Sequence, residues 1–185
     1  ESVQVLSPYN NKGNLSAYAL NMAIRDRVNP LEHGKMVLKR DKDSFRDNDR
    51  VIILQNDRER NCSNGDVGIL HILKVEEKRV TYCVELPDGR CPTWDDASGL
   101  AQLSLAYCLT VHKSQGSEYD TILLPIAKGM DGMLSRNLLY TAISRTKKRV
   151  ILYGDPQALD VAVQKNLPQR KSLLVPKTRM LLECA

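Results

Sequence analysis

Apolar positions recur with different periods along the chain, and each change of period marks a change of architecture. The opening "VQVLSP" is a short β-rich run closed by Pro8, and "YNNKGN" supplies turn chemistry behind it. From about Leu15 to Val28 the period becomes helical. Leu20, Ile24 and Val28 fall at i, i+4 and i+8 with Ala19 and Ala23 beside them, which predicts one apolar face, and Pro30 stops the helix. A strand followed directly by an amphipathic helix is the unit of parallel α/β sheets.

The pattern then shortens. From Asp49 the runs "RVIILQND", "ILHILKVEE" and "RVTYCVEL" are broken by turn signals such as "NCSNGDVG" and "PDG". In "RVTYCVEL", Val80, Tyr82, Val84 and Leu86 share one face while Thr81, Cys83 and Glu85 take the other, the period of two of an antiparallel strand. Four or five such strands predict a small β-barrel. From Leu100 the α/β pattern returns. "LSLAYCLTV" is a continuous apolar run suited to a strand covered on both faces, "TILLPI" is a second, and "RVILYG" a third. "SRNLLYTAISR" predicts a helix with Leu138, Leu139, Ala142 and Ile143 inward. "DPQALDVAVQK" predicts another, with Asp155 as N-cap and Pro156 at its first position. "KSLLVPKTRMLLECA" is expected as a short strand or helix at the edge. The fold class is therefore α/β: a parallel-sheet domain over 1–30 and 100–185, interrupted over 31–99 by a small β-barrel.

Composition narrows the classes. The 185 residues are 42% apolar and 26% charged, an ordinary globular balance. No stretch reaches the roughly 18–20 apolar residues that span a bilayer, and the N-terminus lacks a signal peptide's basic start and apolar centre, so the expectation is a cytoplasmic protein without a membrane partner. The five cysteines have no CxxC spacing, which predicts reduced, mostly buried thiols and no metal site. The opening lacks a methionine and is immediately strand-like, as expected for a piece of a longer polypeptide. The net charge of +5 is uneven. Residues 31–99 hold 12 Lys+Arg against 14 Asp+Glu, and the remainder 15 against 8, so the basic surplus lies outside the barrel. Such a surplus fits a nucleic-acid partner and equally a solvated surface.

Two stretches carry candidate chemistry. "TVHKSQGSEYD" follows one buried run and precedes another, which sets it at the edge of a sheet where α/β proteins bind ligands. Gly116 permits close backbone approach to a phosphate, His112 and Lys113 suit anionic groups, and Glu118 can accept from sugar hydroxyls. A surface turn has a similar composition. "LLYTAISRTKKRVILYG" sets Arg145 at the end of an amphipathic helix. For the lysines the simplest reading is charge that complements the helix dipole. A guanidinium fork at Arg145 suits bidentate phosphate binding and stabilises charge in phosphoryl transfer.

In this order, and separated by "TILLPI", these two stretches resemble the fifth and sixth motifs of superfamily 1 helicases, and most closely the RecD-like helicases, the family of the exodeoxyribonuclease V alpha subunit. "FRDNDRVIILQND" with "NGDVGIL" is similar to the SH3-like barrel inserted in the second RecA-like domain of that family, and "SPYNNKGNLSAYALNMAIRDRVNP" resembles its fourth motif and following helix. The resemblance implies a RecA-like fold with an SH3-like insertion, acting as the second motor domain of a DNA-dependent ATPase. It implies that Arg145 is an arginine finger reaching the ATP γ-phosphate, that Glu118 bonds the ribose, and that Gly116 lies near the phosphates. Thr110 and His112, with Lys113 beside them, fall on the track of single-stranded DNA, and Gln115 lies between the two tasks. Lys12 aligns where the family often has an arginine, which implies a second phosphate contact and sets Lys12, with Gln115, among the nucleotide-binding residues, although a lysine cannot form the bidentate fork.

The sequence contains no GxxxxGK[ST]; "KGMDGM" lacks the lysine and hydroxyl after its second glycine. On the helicase reading, ATP and Mg2+ are held by a first RecA-like domain of the parent chain, nuclease subunits are possible partners, and the fragment alone is inactive. The competing reading is a non-catalytic module that binds nucleic acid or protein. The codons upstream of Glu1 distinguish the two.

Overall fold

The computed structural model describes residues 2–40, 43–76, 79–130 and 132–165. The closing "KSLLVPKTRMLLECA", expected at an edge, lies outside them. β1 (Val3–Ser7) leads into α1 (Ala17–Val28). Seven strands follow: β2 (Val37–Arg40), β3 (Asp43–Arg46), β4 (Arg50–Ile53), β5 (Val67–Val75), β6 (Val80–Glu85), β7 (Thr93–Trp94) and β8 (Leu103–Leu105). The chain continues through β9 (Cys108–Thr110), β10 (Tyr119–Ile126), α2 (Arg136–Ile143), β11 (Thr146–Gly154) and α3 (Pro156–Gln164). β11, β10, β1 and β9 form a four-stranded sheet in that order with every pairing parallel. β7, β6, β5, β4 and β8 form a five-stranded antiparallel sheet, and β2 with β3 a separate hairpin.

The run "LSLAYCLTV" is not one strand. Leu103–Leu105 pairs antiparallel with β4, and Cys108–Thr110 pairs parallel with β1, so the chain passes from one sheet to the other at Ala106 and Tyr107. Both halves are buried, and nothing in their polarity separates them. β4 faces both units. Val51 and Ile53 enter the core of the antiparallel sheet with Phe45, Leu70, Tyr82 and Trp94, while Ile52 joins the core of the parallel sheet with Leu6, Leu109, Ile122 and Leu138. Alternate side chains of a strand point to opposite faces, which explains the unbroken "VII". Tyr82 and Trp94 stack at 5.6 Å, both buried, and so act as core and not as platforms for bases.

α1 does not bury the expected face. Val28 is exposed, and the buried positions are Ala17, Asn21 and Arg25, one residue around the helix from the Leu20, Ile24, Val28 line. The reason is hydrogen bonding. Among the described strands β9 lies at the edge of its sheet, and the Asn21 amide completes its ladder: Nδ2 donates to the Cys108 carbonyl at 2.8 Å and Oδ1 accepts from the Cys108 N–H at 2.9 Å. A side-chain amide thus replaces a neighbouring strand. Asn21→Ala is expected to expose this pair of backbone groups at about 1–3 kcal/mol for each left unpaired. Hydrogen exchange at the Cys108 amide is the measurement, and it should rise well above that of its β1 neighbours.

Asp49, with no solvent exposure, gathers the two units. Its carboxylate accepts from Asn29 Nδ2 at 2.8 Å, from the Tyr107 hydroxyl at 2.9 Å and from the Arg46 N–H at 2.8 Å, with Arg25 Nη1 at 3.9 Å. These partners come from α1 and the turn after it, from β3, and from the crossing between the sheets. Gln4 and Arg50 make a second polar bridge: Gln4 Nε2 donates to the carbonyls of Ala106 and Tyr107, and Arg50 Nη2 donates to Gln4 Oε1 at 3.0 Å.

Candidate nucleotide and nucleic-acid site

Parallel pairing dictates the path of residues 111–118. β9 ends at Thr110, level with Ser7 at the carboxyl edge, whereas β10 starts at Tyr119, below the Val3↔Thr121 pair at the amino edge. The connection therefore descends the length of the sheet. At roughly 3.3 Å per strand residue, its two ends lie at opposite edges. The sequence places the whole loop at a carboxyl edge, but only its first residues are there.

Alternating anchors hold this descent. The Val111 N–H donates to the Ser7 carbonyl, the Ser114 N–H to Thr110 and the Ser117 N–H to Ser114, while the fully buried Ser114 hydroxyl donates to Val111 at 2.8 Å. Thr110 is buried too, and its hydroxyl accepts from the Lys113 N–H at 3.2 Å. Between these anchors His112, Lys113, Gln115, Gly116 and Glu118 are all exposed. Gly116 has φ +91° with open space around it, so a larger residue there meets backbone strain and no clash. The loop follows the antiparallel unit. His112, Lys113 and Gln115 line a cavity of about 500 Å³ with Asn64 and Gly65 of the β4–β5 turn, and Ser117 and Tyr119 line another of about 320 Å³ with Asp66 and Arg90.

At the amino edge, Glu118 and Arg145 come together. The Tyr119 N–H donates to the Arg145 carbonyl at 2.9 Å, and Glu118 Oε2 is 3.2 Å from Lys147 Nζ. Lys147 and Lys148 do not cap a helix as the sequence reading has it. α2 ends at Ile143, and both lysines belong to β11, where Lys148 pairs with Asp120 at 3.1 Å. Charged residues on a sheet edge keep it from pairing with other chains, which suits β11 as the last of the described strands of its sheet. The Ser2 N–H and Lys148 hold the Asp120 carboxyl below the ordinary range. Ile143, expected inward, is exposed at the last turn of α2, while Leu138, Leu139 and Ala142 are buried as expected.

Arg145 is half-buried and weakly engaged. Its Nη2 lies 3.4 Å from the Ser144 hydroxyl, its Nε is buried without a partner, and among the described residues no carboxylate pairs with it. The adjacent Thr146 hydroxyl is also buried and unpartnered. A guanidinium with so few partners is available to an external anion. Lys12 stands apart. It lies in the loop after β1, at the carboxyl edge, with Nζ 5.8 Å from the Tyr9 ring, at the opposite end of the sheet from Arg145. Ser114, between Lys113 and Gln115, and Thr146, between Arg145 and Lys147, carry no mark of burial in the sequence, where each is one more polar residue in a polar stretch.

Residues 105–153 match the UvrD-like helicase C-terminal domain, and residues 20–85 match the SH3 domain of ATP-dependent RecD-like DNA helicases. A parallel sheet carrying the first and an antiparallel insertion carrying the second define the C-terminal region of a superfamily 1 helicase. The chain belongs to the RecD-like branch of these proteins. It is 35% identical over 178 residues to the ATP-dependent RecD2 DNA helicase of Deinococcus radiodurans, a match covering 96% of this chain and 24% of that protein. It is 25% identical over 173 residues to the RecBCD enzyme subunit RecD of Haemophilus influenzae, covering 93% and 24%. The chain thus spans about a quarter of the length of these relatives. The fold is shared with the Bacteroides Pif1 helicase solved in complex with ADP-AlF3 and ssDNA, at TM-score 0.57 and 15% identity over 98% of this chain and 45% of that one. No helix of the described residues is long and apolar enough to cross a membrane, and none of their His, Cys, Asp and Glu residues group as a metal site.

Proposed function

We propose that the chain is the second motor domain of an ATP-dependent DNA helicase, with Arg145 as the arginine finger. The observation that carries this reading is the buried, unpartnered Nε of Arg145 beside an open guanidinium face at the amino edge of the sheet. In this reading ATP and its Mg2+ are held by a first RecA-like domain, and this chain supplies the facing wall of the cleft. Closure of the cleft brings Arg145 to the γ-phosphate, where its fixed charge stabilises the transferring phosphoryl group. Glu118 leaves Lys147 to accept from the ribose, and Gly116 gives the backbone room beside the phosphates. Alone, the chain turns over no ATP.

The other end of the loop faces single-stranded DNA. His112 and Lys113 are the exposed contacts, and Thr110 acts through the Lys113 backbone that it holds. Gln115 lies between the two ends. Lys12, at the carboxyl edge, belongs with the DNA-facing group and not with the nucleotide. Each phosphate contact on a single strand contributes about −0.7 to the slope of log affinity against log salt. In the full-length protein, Lys113→Ala is expected to weaken binding of oligothymidylate and to shrink that slope by about 0.7. An unchanged slope would remove Lys113 from the track.

A further inference from the structure

We propose that Cys83 and Cys91 form a reversible oxidation site, which a hydroperoxide converts to a disulfide across the β6–β7 hairpin. The two sulfurs lie 2.8 Å apart, the Cys91 thiol directed at that of Cys83. The register explains the approach. Cys83 is opposite Thr93, so Cys91 is its diagonal neighbour on the same face of an antiparallel pair, a separation that side chains bridge. The turn between them is already closed, with the Leu86 N–H on the Arg90 carbonyl at 2.8 Å and the Gly89 N–H on Leu86 at 3.0 Å. Forming the bond therefore asks for a small further approach of two sulfurs that already touch.

The two thiols differ in access, which orders the chemistry. Cys91 is exposed and meets the oxidant; Cys83 is buried. The Cys91 sulfur attacks the terminal peroxide oxygen, so an S–O bond forms, the O–O bond breaks and an alcohol or water departs with the thiol proton. The Cys83 sulfur then displaces the hydroxyl from Cys91, an S–S bond forms and water leaves with the Cys83 proton. Two thiols and one hydroperoxide give one disulfide, one water and one alcohol, with two electrons passed to the peroxide. Burial and the Cys91 neighbour push the Cys83 thiol up to about 12, so it enters this second step carrying its proton. The clamp bears on the loop described above. Pro87, Asp88 and Arg90 of the closed turn line the cavity of about 320 Å³ that also receives Ser117 and Tyr119.

The test is peptide-level mass spectrometry of the full-length protein after a brief exposure to hydrogen peroxide. The expected product is a Cys83–Cys91 linked peptide lighter by two hydrogens, restored by dithiothreitol. In Cys83→Ser the same peptide should instead gain oxygen at Cys91 and react with a sulfenic-acid trap. In Cys91→Ser, Cys83 should stay a thiol. A wild-type peptide that gains oxygen without linkage, or one in which Cys91 joins a different cysteine, would overturn the proposal. None of these readouts depends on helicase activity.

Discussion

Replacing Arg145 with Ala in the full-length protein is expected to lower DNA-stimulated ATP turnover by about three to five orders of magnitude, the range in which arginine fingers act. Nucleotide affinity in the ground state should change little, because in the proposed mechanism the guanidinium meets the γ-phosphate only as the cleft closes. The size follows from how Arg145 is held. Its backbone carbonyl is fixed by the Tyr119 N–H and its Nε is buried, so the residue's main chain is held in place and the base of its guanidinium is removed from water. No carboxylate of the described residues has to be released first. Arg145→Lys should recover only part of the rate, since an ammonium cannot supply two parallel hydrogen bonds. Steady-state turnover with and without single-stranded DNA gives the answer, and near-normal turnover in Arg145→Ala would end the assignment.

The second large effect is structural. Asp49→Ala removes a fully buried carboxylate and leaves Asn29, Tyr107 and the Arg46 N–H without their acceptor and Arg25 without its countercharge. Breaking one side of a buried charged network costs roughly 3–5 kcal/mol, a large share of the roughly 5–15 kcal/mol that holds a domain together. Because the partners come from α1 and the turn after it, from the β2–β3 hairpin and from the crossing between the sheets, the loss should fall at the join. Hydrogen exchange over 44–53 and 103–110 is expected to accelerate by about two to three orders of magnitude, while α3 is little affected. The same network sets an alkaline limit. Burial and the Asp49 charge push the Tyr107 hydroxyl up to about 12. Its contribution is therefore intact below the ordinary tyrosine value of about 10 and is lost as the pH rises towards about 12. Tyr107→Phe should flatten that part of the profile.

What the sequence revealed depended on whether the cause was local. The N-cap at Asp155, whose carboxylate accepts from the Gln157 N–H, and Pro156 behind it were legible because both act within one turn. "TILLPI" was legible because a central parallel strand is apolar on both faces. The face of α1 was not legible: Asn21 is buried for a backbone 87 residues away, and no periodicity records such a partner. "LSLAYCLTV" concealed a change of sheet because each half meets a core, and Ala106 and Tyr107 carry no turn signal. The site divided in the same way. The residue types in "TVHKSQGSEYD" pointed to phosphates, but that His112 and Glu118 lie at opposite edges follows from two parallel pairings with β1, which only the fold supplies.

In the proposed function, Arg145 acts on the transition state of ATP hydrolysis and not on the bound substrate. The direct measurement is the affinity of full-length wild type and Arg145→Ala for MgADP with aluminium fluoride, set beside their affinity for a non-hydrolysable ATP analogue. The variant is expected to lose affinity for the transition-state mimic by at least about a hundredfold and for the analogue by less than about tenfold, because only interactions stronger in the transition state accelerate chemistry. Equal losses for both ligands, or none for the mimic, would contradict it.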